Sequence, residues 1–323
     1  MSTNGSTKSR TPLRAGIYAP TMTFFDRTTE DLDIPTIKKH AVFLAKAGLV
    51  GLVTMGSNGE AVHLSREEKA QVTRATREAL DEAGFSSVPV IAGASDMSVR
   101  GTLQNITDAA GAGAEYVLLL SPSYYRYAMN DGALYEYFTS VADKSPLPII
   151  LYNYPGAVAG IDLDSDLMIK LAGNKNIIGA KFTCGNTGKL SRVAQELEAA
   201  NAKGTGAGEW MAFGGFADFT MQCAASGASG IIAGGANVWP KMCVKVWELW
   251  KAGKVEEAIK LNEVLTKADW ILTRTAIPGT KAAIEIAYGY GGVPRRPLQP
   301  LSSEKHKELE GLVKEYLKTE QSL

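Results

Sequence analysis

The stretch Asn176-Ile177-Ile178-Gly179-Ala180-Lys181-Phe182-Thr183 is a mainly apolar run with a lysine near its end. A short run of this kind is typical of a strand that is buried on both faces, as in a parallel sheet. A charged group at the end of such a strand must face a cavity or a partner, because a desolvated ammonium group that has neither is costly. The stretch therefore predicts a buried parallel strand that delivers Lys181 to a pocket.

Short apolar runs of this type alternate with longer amphipathic ones from Ala15 to about Ala252. The predicted strands are Gly16–Met22, Leu49–Met55, Pro89–Gly93, Tyr116–Ser121, Leu147–Tyr152, Ile177–Phe182, Trp210–Phe213 and Gly230–Gly234. The predicted helices are Ile34–Ala47, Arg66–Ala83, Ser98–Gly111, Gly132–Ala142, Leu163–Leu171, Lys189–Ala200, Ala217–Ala225 and Val238–Trp250. Eight such units predict an α/β fold whose parallel strands close into a (β/α)₈ TIM barrel. A doubly wound open sheet is the alternative, but no Gly-x-Gly-x-x-Gly follows the first strand.

The chain divides into three parts on these patterns. Residues 1–14 are polar and are predicted to be a disordered leader, and residues 15–252 form the predicted catalytic barrel. In residues 253–323 the alternation stops, and helices are predicted over Val255–Arg274, Gly279–Tyr288 and Ser303–Lys318. This C-terminal helical region should pack outside the ring of strands.

Composition restricts the class of function. The 323 residues include 34 Lys+Arg and 34 Asp+Glu, and this balance argues against a nucleic-acid or membrane-surface partner. The three cysteines and three histidines show no metal-ligand spacing, so neither a metal nor a cofactor is expected. No secretory signal is apparent, and a cytoplasmic location is favoured, with a weak mitochondrial alternative in the leader.

Several polar residues fall at or just after the ends of predicted strands, which is the face where barrel enzymes carry their active sites. They are Ser57, Asn58, Tyr124, Tyr152, Lys181 and Thr183. In an apolar surround the pKa of Lys181 should fall, which would free an amine to attack a ketone and form an imine. Lys181 could instead extend to solvent or pair with Glu60.

The other strand-end residues also have more than one interpretation. The phenol of Tyr152 can relay protons, or its ring can simply fill the mouth of the barrel. Ser57 and Asn58 lie between glycines, where backbone N–H groups can form a nest for a carboxylate or a phosphate, or merely a tight turn. The Tyr124–Tyr127 loop could be a substrate lid, a subunit contact or an exposed loop.

Four motifs resemble those of the dihydrodipicolinate synthase/N-acetylneuraminate lyase family of class I, pyruvate-handling aldolases. They are the segment Gly56–Glu60 (Gly-Ser-Asn-Gly-Glu), the segment Tyr152–Pro155 (Tyr-Asn-Tyr-Pro), the segment Lys181–Asn186 (Lys-Phe-Thr-Cys-Gly-Asn) and the segment Gly227–Ile232 (Gly-Ala-Ser-Gly-Ile-Ile). The resemblance runs from about Ala15 to Leu298, and the four motifs occur in the family's order and at compatible spacing.

The resemblance implies a role for each matched residue. Lys181 would form the Schiff base with pyruvate, and Tyr152 would shuttle protons. Ser57 and Asn58, which follow Gly56, would hold the pyruvyl carboxylate. Ser57 would also link Tyr152 to Tyr124, which a neighbouring subunit would contribute across an interface. Thr183 would face the substrate and Ile232 would line the imine pocket. The family also implies a homotetramer built as a dimer of dimers.

One departure from the family pattern bears on the substrate. Ala157 stands where true dihydrodipicolinate synthases carry an arginine that binds the carboxylate of the aldehyde partner. Without that guanidinium group a second carboxylate lacks its bidentate anchor. The resemblance therefore favours cleavage of a 2-keto-3-deoxy sugar acid, the L-threo-3-deoxy-hexulosonate (2-keto-3-deoxy-L-galactonate) of galacturonate breakdown, to pyruvate and L-glyceraldehyde.

Other functions stay open at this point. 4-Hydroxy-2-oxoglutarate aldolase is the nearest alternative, and Arg126 could then serve the distal carboxylate. Dihydrodipicolinate synthase is less favoured. A non-catalytic pyruvate-binding barrel and a phosphate-binding barrel of isomerase type, which would use the Gly56–Gly59 turn or Gly234 and Gly235, belong to different classes.

Overall fold

The computed structural model describes residues 10–202 and 210–323 of the chain. Eight parallel strands follow one another in chain order around a closed barrel. They are β1 (Gly16–Pro20), β2 (Gly51–Thr54), β3 (Val90–Gly93), β4 (Tyr116–Leu120), β5 (Ile149–Asn153), β6 (Ile177–Phe182), β7 (Met211–Gly214) and β8 (Gly230–Ile232). The predicted TIM barrel is confirmed, and the open-sheet alternative is wrong because β1 pairs with both β2 and β8.

A helix follows each strand and packs on the outside of the ring. These helices are α1 (Ile34–Lys46), α2 (Arg66–Glu82), α3 (Val99–Gly111), α4 (Asp131–Ala142), α5 (Ser165–Leu171), α6 (Thr187–Ala202), α7 (Thr220–Ala225) and α8 (Pro240–Lys251). Six helix starts differ from the prediction by one to three residues, and two of these differences have a clear local reason. The Asn186 side chain accepts the Lys189 N–H, so α6 begins at Thr187, while the N–H groups of Ala217 and Asp218 bind a carboxylate and α7 begins only at Thr220.

The hydrophobic core has two layers, as the alternation of side chains along barrel strands requires. One layer fills the inside of the barrel and contains Tyr18, Val53, Ile91, Tyr116, Leu118, Ile150, Tyr152, Met211, Phe213 and Ile232. The other, larger layer lies between the strands and the helices. The barrel interior is therefore a packed core rather than a pore, and any cavity must lie at one of its ends.

The N-terminal end of the barrel is closed by the residues that precede β1. The phenol of Tyr18 donates to the Arg14 carbonyl at 2.7 Å, and the phenol of Tyr116 donates to the Thr11 carbonyl at 2.7 Å. The Thr11 N–H donates to Glu115 at 2.7 Å. Residues 10–14 thus differ from the disorder expected of the leader, because these hydrogen bonds hold them on the barrel. Residues 1–9 lie outside the described part of the chain.

Two further helices, α9 (Val255–Tyr288) and α10 (Ser303–Ser322), form the C-terminal region. α9 packs on α8 and α10. It is broken at Ala276, whose φ of 51° and ψ of −148° are not helical, just before Pro278. A proline in a helix removes a backbone donor and clashes with the preceding turn. The break predicted near residues 277–279 is therefore present, although the two helical parts continue without an intervening loop. No helix among the described residues is long and apolar enough to cross a membrane.

Candidate active site

Lys181 lies near the C-terminal end of β6 and points into the mouth of the barrel. Its register partners are Tyr152 on β5 and Phe213 on β7. Nζ lies 4.4 Å from the centroid of the Tyr152 ring, and the side chain is 3% exposed. The alternative pairing with Glu60 is absent, because Glu60 Oε1 binds Lys281 Nζ at 2.6 Å. Lys181 therefore has no carboxylate partner among the described residues.

Burial lowers the pKa of Lys181 from 10.5 to about 7. An apolar environment disfavours the ammonium form, and no neighbouring carboxylate offsets this effect. Near neutral pH, Lys181 is consequently a neutral amine in a substantial fraction of the molecules. The neutral amine is the form that can attack a carbonyl carbon.

The phenol of Tyr152 lies beside this amine. Its oxygen is 3.4 Å from Ser57 Oγ, and its ring is 4% exposed. Burial raises the pKa of Tyr152, and the nearby hydroxyls of Ser57 and Thr183 only partly oppose this rise. The phenol is therefore neutral at physiological pH. It can accept a proton from a substrate hydroxyl only if it passes its own proton on, and Ser57 is placed to receive it.

The loop after β2 is a tight turn with free donors. The Gly59 N–H donates to the Gly56 carbonyl at 3.0 Å, and the Glu60 N–H donates to the Ser57 carbonyl at 3.1 Å. The N–H groups of Ser57 and Asn58 donate to no acceptor in the described part of the chain. Successive unpaired N–H groups in a turn can bind an anion, so this geometry suits a carboxylate.

The turn is held by its ends. Met55 and Glu60 both have positive φ angles, 57° and 53°, which are strained for residues with a side chain. Glu60 is fixed in this conformation by three contacts besides its own backbone. Lys281 binds Oε1, while Oε2 accepts the Arg295 N–H at 2.9 Å and lies 3.2 Å from His63 Nδ1.

Thr183 presents a hydroxyl without a partner. Its side chain is 7% exposed, and Oγ1 makes no hydrogen bond to any described residue. A Cβ atom on residue 215 would lie 2.2 Å from Thr183 Oγ1, so glycine is required there to leave this hydroxyl its space. A buried and unsatisfied hydroxyl beside a reactive amine is a candidate contact for a substrate.

A cavity of about 230 Å³ brings these groups together. Its walls include Ser57, Asn58, Tyr152, Lys181 and Thr183, as the sequence predicted, and also Gly215, Gly234, Gly235 and Asp269. We call this space the lysine cavity. Sequence reasoning missed Asp269, because it belongs to α9, a helix that was expected only to pack outside the barrel.

A second cavity of about 370 Å³ adjoins the first, and we call it the adjacent cavity. Ser57, Tyr152 and Ile277 line both cavities. Gly56 and Ala157 line the adjacent cavity, and so does Lys69. Ile232 is fully buried in the inner core beneath the mouth rather than on a cavity wall.

Tyr124 is not part of either cavity. Its side chain is 79% exposed, and its ring packs edge to face on Tyr125 at 5.1 Å. Tyr127 in the same loop is 88% exposed. Arg126 lines neither cavity, and within the described residues its guanidinium group donates only to the Met129 carbonyl, at 3.5 Å. Within one chain, therefore, the aromatic loop lies apart from Lys181.

No group of three or more His, Cys, Asp or Glu side chains in the described residues could hold a metal ion. The polar groups of the lysine cavity are instead an amine, hydroxyls, amide groups and one carboxyl group. This set suits a covalent attack on a carbonyl, with hydrogen bonds to a carboxylate and to hydroxyls.

The model of the dihydrodipicolinate synthetase family matches residues 13–316 of the sequence. The chain belongs to this family. Membership agrees with the resemblance of the four motifs.

Relatives within the family are similar over almost their whole length. The chain is 59% identical to the L-threo-3-deoxy-hexylosonate aldolase of Aspergillus niger, over 97% of this chain and 98% of the relative. It is also 59% identical to the enzyme of the same name from Hypocrea jecorina, over 96% and 98%. A mitochondrial 4-hydroxy-2-oxoglutarate aldolase from Emericella nidulans is 46% identical, over 97% and 98%. The higher identity to the two L-threo-3-deoxy-hexylosonate aldolases agrees with the sugar-acid aldolase subgroup expected from Ala157.

Solved structures of family members have the same fold. A dihydrodipicolinate synthase family protein from Coccidioides immitis is 37% identical, with a TM-score of 0.85 over 96% of this chain and 98% of that chain. A prophage protein of the family from E. coli K12, solved in complex with pyruvate, is 27% identical, with a TM-score of 0.85 over 94% of this chain and 99% of that chain.

Proposed function

We propose that this protein is a class I aldolase that cleaves L-threo-3-deoxy-hexulosonate (2-keto-3-deoxy-L-galactonate) to pyruvate and L-glyceraldehyde. The single observation that carries the chemistry is the buried Lys181, with a pKa of about 7, beside the phenol of Tyr152. The two relatives with 59% identity support the choice of substrate.

The reaction begins with the binding of the carboxylate and the attack on the ketone. The free N–H groups of Ser57 and Asn58 hold the substrate carboxylate. The neutral amine of Lys181 attacks C2, the C2 oxygen takes up one proton from the amine and one from solvent and leaves as water, and a protonated imine forms. The positive imine nitrogen is the electron sink for the next step, so the residues of the chain supply what the cleavage requires.

Cleavage then needs a base for the hydroxyl on C4. The phenol of Tyr152 takes that proton as it passes its own to Ser57 Oγ, which is 3.4 Å away, and Ser57 in turn passes the proton of its hydroxyl onward. The electron pair of the C3–C4 bond moves to C3 and gives an enamine, and the aldehyde leaves. Protonation at C3 and hydrolysis of the imine by water release pyruvate and restore Lys181.

We propose further that the enzyme is a homotetramer in which Tyr124 of a neighbouring subunit completes the proton relay from Ser57. The exposure of Tyr124 and its separation from the cavities of its own chain support this arrangement.

We also propose a cytoplasmic enzyme of galacturonate breakdown. Imaging of a C-terminally tagged full-length protein checks the compartment, and mitochondrial fluorescence would contradict it.

4-Hydroxy-2-oxoglutarate aldolase is the second candidate function. One observation favours it: Lys69 lines the same cavity as Ala157 and could serve a distal carboxylate. Release of pyruvate from both substrates separates the two functions. We expect a higher kcat/KM for 2-keto-3-deoxy-L-galactonate, and a higher value for 4-hydroxy-2-oxoglutarate would reverse the assignment.

A further inference from the structure

Asp269 is the carboxyl group of the lysine cavity, and it comes from α9 rather than from a barrel strand. Its side chain is 2% exposed. Oδ2 accepts the N–H groups of Ala217 and Asp218, both at 3.0 Å. These bonds anchor the loop after β7 and fix the orientation of the carboxyl group.

The second oxygen of this group, Oδ1, takes no part in anchoring the loop. Oδ1 accepts no hydrogen bond from the described residues. A Cβ atom on residue 235 would lie 2.2 Å from Oδ1, so the glycine at this position leaves the oxygen its space on the cavity wall. Asp269 therefore presents an unused acceptor to the space in which Lys181 lies.

The charges of the lysine cavity limit what this acceptor can bind. Among the described residues, Lys181 and Asp269 are the basic and acidic side chains that line it, and no arginine does so. An ionised carboxylate only accepts hydrogen bonds, so its partners are hydroxyl or N–H donors. A second carboxylate on the substrate would be repelled by it at short range.

We infer that Asp269 is a specificity-determining residue that binds the hydroxyl groups on the aldehyde end of the substrate and disfavours an aldehyde end that carries a carboxylate. The inference rests on the proposed function, because it assumes that the lysine cavity holds the imine. Burial, with a smaller effect of the Asp218 charge, raises the pKa of Asp269 to about 7, so assays at about pH 8 examine the ionised form.

The variant Asp269→Asn is the sharpest test, because it changes chemistry and not shape. Its amide oxygen can still accept the two backbone N–H groups, whereas an NH₂ donor replaces the unused oxygen and the charge is lost. We expect kcat/KM for 2-keto-3-deoxy-L-galactonate to fall by about 10–100-fold, the usual worth of a hydrogen bond to a charged group. The value for 4-hydroxy-2-oxoglutarate should stay the same or rise, and reductive trapping of pyruvate should continue at the wild-type rate.

Asp218→Asn is the matched control. This variant also removes a carboxylate, one whose charge acts on Asp269 in the folded protein. Asp218 itself does not line the lysine cavity. The ratio of the two kcat/KM values should stay within about twofold of wild type. An unchanged ratio in Asp269→Asn, or an equal change in both variants, would overturn the inference.

A substrate analogue tests the same contact without relying on the fold of a variant. 4-Hydroxy-2-oxopentanoate keeps the bond to be cleaved but has a methyl group in place of the hydroxylated end. The wild-type enzyme should discriminate against it, and Asp269→Asn should discriminate much less. Equal cleavage of both compounds by the wild type would contradict hydroxyl recognition. The wild-type preference between the sugar acid and 4-hydroxy-2-oxoglutarate tests the proposed function separately.

Discussion

Tyr152 and Lys181 are register partners on the adjacent strands β5 and β6, and Lys181 Nζ lies 4.4 Å from the centre of the Tyr152 ring. Both side chains point to the inside of the barrel, because partners in a parallel register share a face. Their separation is therefore fixed by two hydrogen-bonded main chains and not by a loop. The groups assigned to carbonyl attack and proton transfer are thus held by paired strands, which position side chains more precisely than loops do.

The first prediction concerns the phenol. Tyr152→Phe should lower kcat by about 10²–10⁴-fold, the usual contribution of a positioned acid–base group. The ring still fills the barrel mouth, so the fold and the pyruvate adduct on Lys181 should persist. Steady-state release of pyruvate measures the first effect, and mass spectrometry after reduction measures the second.

Tyr154→Phe is the matched control for this variant. The Tyr154 ring stacks on that of Tyr152 with centroids 5.8 Å apart, and it also lines the lysine cavity. Its hydroxyl has no place in the proposed relay, so its loss should have a much smaller effect on kcat. Equal losses in the two variants would mean that the cavity is sensitive to any lost phenol and that Tyr152 has no special role.

The second prediction is a pH dependence of imine formation. The pKa of Lys181 is lowered to about 7, so the amine is neutral above about pH 7 and protonated below it. The rate of trapping with pyruvate and cyanoborohydride should therefore rise about tenfold per pH unit below that value and level off above it, after correction for the reductant's own pH dependence. A midpoint near 10, the ordinary value for lysine, would contradict the effect of burial.

The third prediction concerns the neighbouring subunit. Lys181→Ala and Tyr124→Phe should each have low activity, for different reasons. If Tyr124 acts across an interface, mixing and reassembling the two variants should create some sites with an intact Lys181 and an intact Tyr124. Activity above the sum of the separate variants supports this assignment. Full activity of Tyr124→Phe alone would remove Tyr124 from the relay.

The fourth prediction concerns the ion pair behind the carboxylate-binding turn. The side chains of Lys281 and Glu60 are both fully buried and 2.6 Å apart. Lys281→Met leaves a buried carboxylate without its cation and should lower the free energy of unfolding by about 3–5 kcal/mol. Lys38→Met, which breaks the surface pairs with Glu78 and Glu82, should cost much less, because exposed ion pairs contribute little. Urea unfolding compares them, and equal costs would contradict a structural role for the buried pair.

Much of the fold could be predicted from the sequence because the barrel repeats one local pattern. Each strand is a short apolar run, and strand ends that carry Ser57, Tyr152 and Lys181 must meet at one face of a closed parallel barrel. Local rules also located the break near Pro278, since a proline interrupts a helix wherever it lies.

The contacts made by α9 could not be predicted in this way. Asp269 lies on a regular amphipathic helix, and nothing in its local sequence distinguishes it from the other acids of α9. Its role depends on tertiary packing that places it against the loop after β7, 51 residues away in the chain from Asp218. The partner of Glu60 was also missed, because Lys281 approaches it from the same distant region.

The most direct test of the account is the identity of the lysine that binds pyruvate. Treatment with pyruvate and borohydride should reduce the imine to a stable amine and inactivate the enzyme, with one adduct per chain, on Lys181 in the peptide map. Lys281 is the informative competitor, because it is also buried and burial lowers its pKa to about 8. An adduct on Lys281 or any other lysine, or no adduct at all, would contradict the Schiff-base mechanism proposed for this protein.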